Sequence, residues 1–354
     1  KSVLSSLTDD QLVPVTRAFN QFLSLANISD QFHTVRRRAP NEERITNRIN
    51  TIDDVFLRLK EKGLTPSQII EQIGDLKIEF VLTAHPTEIT RRTLIQKYDH
   101  IADCLERLDR DDLLDEEFLT EKSHLQRLIT EAWTTDELRY ERPTALDEAR
   151  WGFAVIEYSL WTALPNYMRR LDGAMQRHLG CGLPIDSKPM RYASWMGGDR
   201  DGNPNVTAEV TREVFYLSRW VAADLYMRDL KKLRSQLSMA GCNGELGRAT
   251  GRAREPYRKL LGDLRARLEA TRAWAQEGLV GEREHVSDQV LLANEDLLEP
   301  LLICYRSLCE SGMEVIANGP LLDVIRRVQC FGLQLVRLDI RQNSERHEEV
   351  FAEL

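Results

Sequence analysis

Long stretches of helical apolar spacing are interrupted by three short runs of strand character, residues 78–82, 189–196 and 331–340. Each run feeds directly into a polar motif: Thr83-Ala84-His85-Pro86-Thr87, Gly197-Gly198-Asp199-Arg200-Asp201-Gly202, and Asp339-Ile340-Arg341. Short strands separated by so much helix call for parallel pairing with helical crossovers. Parallel pairing would bring the polar motifs to one edge, at the carboxyl ends of the strands. The expected fold class is therefore mainly α with a few short parallel strands. Three strands cannot close a barrel, so the pattern fits part of a helix-rich (β/α) barrel.

The first motif is the densest in chemistry. Ile78 to Leu82 reads as a buried strand. Pro86 lacks an N–H and pushes His85 toward an extended conformation, which ends the strand there. Thr87 is a candidate N-cap for a helix carrying Arg91 and Arg92 in its first turns. An imidazole beside a helix N-terminus and two guanidinium groups suits an anionic substrate and a proton transfer. The alternative is a satisfied polar histidine at a strand end and two arginines on a solvated helix face.

In the second motif the glycines at 197, 198 and 202 permit conformations that turn backbone N–H groups toward an anion. The spacing of Asp199 and Asp201 also suggests a calcium loop. That idea fails at the sixth position, where Pro204 stands for glycine, and at the twelfth, where Val210 stands for glutamate. A tight Asx-type turn joining strand to helix is the structural alternative. In the third motif, alternation places Asp339 and Arg341 on one face. The aspartate would then orient a guanidinium able to grip a carboxylate or phosphate, or form a simple ion pair with it.

A chain of 354 residues with 42% hydrophobic and 29% charged residues reads as a soluble globular protein with a sizeable core. A net charge of −8 argues against a nucleic-acid partner, and no apolar run is long enough for a membrane. Cys104, Cys181, Cys242, Cys304, Cys309 and Cys330 form no CxxC pair, which favours reduced thiols in a cytoplasmic chain.

Elsewhere the pattern is helical. Thr8-Asp9-Asp10 caps a helix with Leu12, Val15, Phe19, Phe22, Leu23 and Ala26 at helical spacing, and Arg36-Arg37-Arg38 begins a solvated connection. Thr51 and Thr65-Pro66 open two short helices, the first turning Val55, Phe56 and Leu59 inward. Residues 144–178 form a long aromatic-rich stretch whose Trp151, Phe153, Ile156, Leu160, Trp161 and Leu164 belong to a core, with a kink at Pro165. Residues 239–255, rich in glycine, read as an exposed mobile loop.

The three motifs resemble active-site signatures of the phosphoenolpyruvate carboxylase family. Val81-Leu82-Thr83-Ala84-His85-Pro86-Thr87-Glu88 with Arg91-Arg92 looks like the first. Ser194-Trp195-Met196-Gly197-Gly198-Asp199-Arg200-Asp201-Gly202-Asn203-Pro204 looks like a second, and Leu338-Asp339-Ile340-Arg341-Gln342 is similar to a third. The resemblance implies an N-terminal portion of a single large catalytic domain, with helices over 1–76 and the first barrel strands with helical insertions over 77–354. It implies carboxylation of phosphoenolpyruvate by bicarbonate to oxaloacetate and phosphate, with Mg2+ or Mn2+ bound by residues later than 354.

On that resemblance His85 matches the essential histidine. Arg341 matches an arginine that holds the phosphate-bearing substrate. Trp195, Gly197, Gly198, Asp199, Arg200 and Asp201, with Arg91 and Arg92, line the substrate site. A homotetrameric, cytoplasmic, allosterically regulated enzyme without nucleic-acid or membrane partners is expected, and residues 1–354 alone should be inactive. The alternative is a non-catalytic helical scaffold or regulatory piece, distinguished by whether the reading frame continues into the metal-binding motifs. Pyruvate-phosphate chemistry on a related barrel would need a phosphorylatable histidine in a setting unlike His85-Pro86-Thr87.

Overall fold

A computed structural model describes residues 7–38, 51–83, 92–135, 143–201, 203–281 and 286–353. In chain order the helices are α1 (Asp9–Arg38), α2 (Ile52–Glu61), α3 (Pro66–Gly74), α4 (Arg92–Leu108), α5 (Asp115–Thr134), α6 (Ala145–Val155), α7 (Trp161–Leu179), α8 (Ala208–Gln236), α9 (Gly244–Ala249), α10 (Pro256–Leu279), α11 (Asn294–Glu310), α12 (Glu314–Ile316), α13 (Leu322–Phe331) and α14 (Ser344–Glu353). Three strands join them: β1 (Ile78–Leu82), β2 (Met190–Ser194) and β3 (Arg337–Leu338). The chain divides into two compact units, one of residues 1–48 and 86–142, the other of 49–85 and 143–354.

In the first unit α4 packs along α5 and against α1. Ile101, Cys104 and Leu128 form its small core, with Leu25, Ile28 and Tyr98 packed around them. Helix α1 continues through Arg36 and Arg37 to Arg38, where a loop is expected from sequence. Arginine is a good helix former, so an unbroken helix is the natural extension. Of the residues at helical spacing in α1, Phe19, Phe22 and Leu23 are exposed.

The second unit holds the sheet, and all its strands are parallel in the order β1-β2-β3. Ile78 pairs with Met190 and Leu82 with Ser194, while Ser194 pairs with Leu338. This register brings all three strand ends to the same edge. Strand β1 has the bounds read from sequence, but it is not buried: Ile78, Phe80 and Val81 are 41%, 48% and 40% exposed. It is an outer strand, so one side of it lacks a strand neighbour among the described residues. Strand β3 is shorter than the expected run, because Gly332 and Leu335 take positive φ values of 63° and 61° and break the extended chain.

A chain of aromatic rings ties the sheet to the helices. Phe80 stacks on Tyr192, Tyr192 on Phe331, and Phe331 on Trp161, which meets Tyr226 edge-on, with centroids 4.6 to 5.8 Å apart. Each such contact contributes about 0.5–1.5 kcal/mol beyond area burial. The Tyr226 hydroxyl donates to the Gly332 carbonyl at 3.1 Å, so α8 also fixes the turn after α13.

Residues 144–178 form α6 and α7 joined by a π-helical turn, Ile156–Leu160. Phe153, Ile156, Trp161 and Leu164 are in the core as expected. Pro165 lies within α7 and has no N–H to offer Trp161 four residues back. Arg327 supplies the missing donor, its Nε reaching the Trp161 carbonyl at 2.7 Å. The same guanidinium meets Asp229 at 2.9 Å, and Asp229 accepts from the Trp161 indole at 3.1 Å.

Thr51 and Thr65 cap α2 and α3 as expected, accepting from the Asp54 and Gln68 amides. Phe56 is buried, but Val55 lies on the exposed face. Within the presumed loop of 239–255, Asn243 caps α9 by accepting from the Leu246 amide at 2.9 Å. Leu246 is fully buried, so this glycine-rich segment is anchored to the core. No helix of the described residues is long and apolar enough to cross a membrane. All six cysteines carry free thiols.

Candidate active site

The site grows from the carboxyl ends of β2 and β3. Pairing continues past the strands: the Trp195 amide donates to Leu82 O at 3.2 Å and the Asp339 amide to Ser194 O at 3.0 Å. The chain after Trp195 then folds into a tight loop. The Gly198 and Asp199 amides both donate to Trp195 O at 2.9 Å. Gly197 has φ +76°, and a Cβ there would come within 2.4 Å of Val214. A Cβ on Gly198 would lie 2.3 Å from the Asp339 carbonyl oxygen. Two glycines are thus required, the first by conformation and the second by close approach of β3's extension.

That close approach locks the second and third motifs together. Arg341 N donates to Gly198 O at 3.0 Å, and Arg200 N donates to Arg341 O at 2.9 Å. Asp199 and Arg341 form a parallel bridge. The Asp201 amide donates to Asp199 Oδ1 at 3.1 Å, which is the Asx turn weighed from the sequence. The amides of residues 198 to 201 are therefore all engaged inside the loop. Those four amides are not open to an anion, and Gly202 lies outside the described residues.

The Arg341 guanidinium lies over the Trp195 ring, 4.2 Å from its centroid, with Nη1 3.9 Å from Asp199 Oδ2. Asp339 is the carboxylate that strand alternation assigns to Arg341; in the structure that carboxylate is Asp199. The reason is that β3 ends at Leu338, so alternation does not persist to Arg341. A cation over an indole face gains about 0.5–1 kcal/mol when exposed and about 2 or more when desolvated. Arg341 is half-exposed, so its free edge is available to an anion.

Arg200 sits behind the loop, its Nη2 donating to the Thr211 hydroxyl at 3.1 Å. Its Nε is buried without a partner among the described residues. The Thr211 hydroxyl donates in turn to Gly197 O at 2.8 Å. Thr211 is a buried residue of α8 that links the loop to Arg200, and the sequence reading does not single it out. Its signal is a hydroxyl one turn after the Thr207 cap, on a helix face otherwise turned toward the core.

The structure thus brings together Trp195, Gly197, Gly198, Asp199, Arg200, Asp201 and Arg341. His85, Arg91 and Gly202 lie outside the described residues, and Arg92 begins α4 with its side chain likewise outside them. Asp199 does not suit a hard divalent cation. Asp199 is committed to Arg341 and to the Asx turn, and a guanidinium beside it disfavours a second cation.

The phosphoenolpyruvate carboxylase family model matches residues 1–354. The chain belongs to that family. Curated proteins carrying the same name are similar over the whole chain. Those from Hahella chejuensis, Marinobacter nauticus and Pseudomonas aeruginosa are 66%, 56% and 54% identical to it. The alignments cover 99 to 100% of this chain and 40% of each relative. The chain therefore spans about 40% of the length of the curated relatives it matches.

Proposed function

We propose that this chain is the phosphate-binding part of a phosphoenolpyruvate carboxylase, a carboxy-lyase that forms oxaloacetate and phosphate from phosphoenolpyruvate and bicarbonate. The barrel of which β1, β2 and β3 form three strands would be completed by residues the relatives have beyond this stretch. The observation that carries the reading is Arg341, held over Trp195 at the carboxyl ends of parallel strands in a chain of this family.

Bicarbonate oxygen attacks the phosphorus of phosphoenolpyruvate, and the bond to the enol oxygen breaks, giving carboxyphosphate and the pyruvate enolate. Carboxyphosphate then releases carbon dioxide and phosphate, and the enolate carbon bonds to the carbon dioxide. Negative charge passes from phosphate to enolate to the new carboxylate, so fixed cations contribute most. Arg341 offers two N–H groups to phosphate oxygens while Trp195 and Asp199 hold its plane. His85 follows β1 and accepts the carboxyphosphate proton. Magnesium or manganese would supply further charge stabilisation from ligands outside this chain, since Asp199, paired with Arg341, does not fit one.

The test is Arg341→Ala in the full-length protein. Loss of a charge-assisted contact of about 1.5–3 kcal/mol lowers kcat/KM for phosphoenolpyruvate about 10- to 150-fold. Unchanged kcat/KM in a folded variant would overturn this assignment.

A further inference from the structure

The first unit carries a cluster that the carboxylation chemistry does not use. Cys104 of α4 faces Glu121 and His124 of α5, which lie one turn apart on a single helix face. The ligand atoms of all three lie within 4.8 Å of one another. Cys104 Sγ is 3.6 Å from His124 Nδ1, and that nitrogen is 3.7 Å from Glu121 Oε1. Tetrahedral zinc with Zn–S near 2.3 Å and Zn–N near 2.1 Å places sulfur and nitrogen about 3.6 Å apart.

The cluster is closed by an arginine. Arg107 Nε donates to Glu121 Oε1 at 2.7 Å, and its Nη2 approaches Cys104 Sγ at 3.5 Å. A thiol, a carboxylate and an imidazole thus converge on one point between α4 and α5, with the Arg107 guanidinium bound to two of them. Cys104 is fully buried, whereas the Arg107 side chain is 47% exposed and free to swing into water. Breaking its partly exposed ion pair costs little.

We propose that Cys104, Glu121 and His124 form a zinc site that clamps α4 to α5. Thiolate and imidazole select zinc over magnesium or calcium. On binding, the Cys104 S–H bond breaks, the proton leaves to solvent, and the sulfur electron pair forms the Zn–S bond. Arg107 moves out, and water takes the fourth position. The site shares no residue with the Trp195–Arg341 assembly, so it stands whether or not the carboxylase reading does.

The experiment is titration of the whole chain with Co2+, followed by displacement with Zn2+. The expected result is one equivalent with a thiolate-to-cobalt charge-transfer band. Cys104→Ser removes the band, and His124→Gln weakens binding about tenfold or more. Arg107→Ala tightens binding by removing the competing cation. His124 is partly exposed, so its variant keeps the fold, checked by far-ultraviolet circular dichroism. A missing band, or one unchanged in both Cys104→Ser and His124→Gln, overturns the proposal.

Discussion

At the scale of single residues, the most constrained atoms of the site are those without side chains. Gly198 lets the Asp339 carbonyl oxygen approach to a distance no Cβ tolerates, and the opposing atom belongs to backbone, which cannot rotate away. Gly198→Ala should therefore separate the loop from β3 and destabilise the second unit by about 1–3 kcal/mol, the usual cost of overpacking. Thermal unfolding of the variant beside wild type measures it; an unchanged midpoint would show that the two motifs are not locked. The need for glycine at 197 and 198, the aromatic face of Trp195 and the fork of Arg341 were legible as residue types in a motif. The partner of Arg341 was not. Alternation assigns it Asp339, but the strand ends three residues before Arg341 and the loop brings Asp199 there instead. The role of Thr211 was hidden because its contacts arise from the way α8 packs back under the loop that precedes it.

At the scale of elements, helix caps and the bounds of β1 were the most readable features. Thr51, Thr65 and Thr207 each accept from the amide three residues on, and Pro86 marks the stretch just after β1. What sequence periodicity could not give was which apolar face finds a partner. Helix α1 has helical spacing yet leaves Phe19, Phe22 and Leu23 exposed, and β1 has an apolar run yet sits at an edge. Conversely, small and charged residues around 244–249 hide one buried leucine and an asparagine cap, enough to order a short helix.

Element docking also sets a pH dependence. Asp53 of α2 accepts from Arg177 at 2.8 Å and from His178 at 2.9 Å, both on α7. Burial opposes its ionisation, but those hydrogen bonds outweigh burial and hold its carboxyl below the usual range. A depressed carboxyl stabilises the fold above its unfolded pKa of about 4, and that stability is lost as pH falls through the folded value. Asp53→Asn should flatten this part of the acid limb by about 1 kcal/mol or less, because the partners are partly solvated. Urea midpoints between about pH 5 and pH 2 test it; parallel curves for wild type and variant would contradict it.

At the scale of the whole molecule, the chain is two units, and the Trp195–Arg341 assembly belongs entirely to the second. That assembly is the one we propose as the phosphate-binding side of the carboxylase site. The strands align their carboxyl ends, the glycine loop ties two of those ends together, and the arginine is presented to solvent on an indole face. Composition and patterning made the helical class and the parallel strands legible. The family motifs pointed to the chemistry, because phosphate, enolate and carboxylate all call for fixed cations rather than a nucleophile. The chain spans about 40% of its relatives and is proposed to hold only part of that machinery, so the test uses the full-length protein. The measurement is steady-state oxaloacetate formation from phosphoenolpyruvate and bicarbonate, wild type beside a folded His85→Asn variant. Turnover by wild type and its loss in the variant by about 100-fold or more are expected, the scale of a positioned general base. Equal rates would reduce His85 to a structural residue and contradict the mechanism.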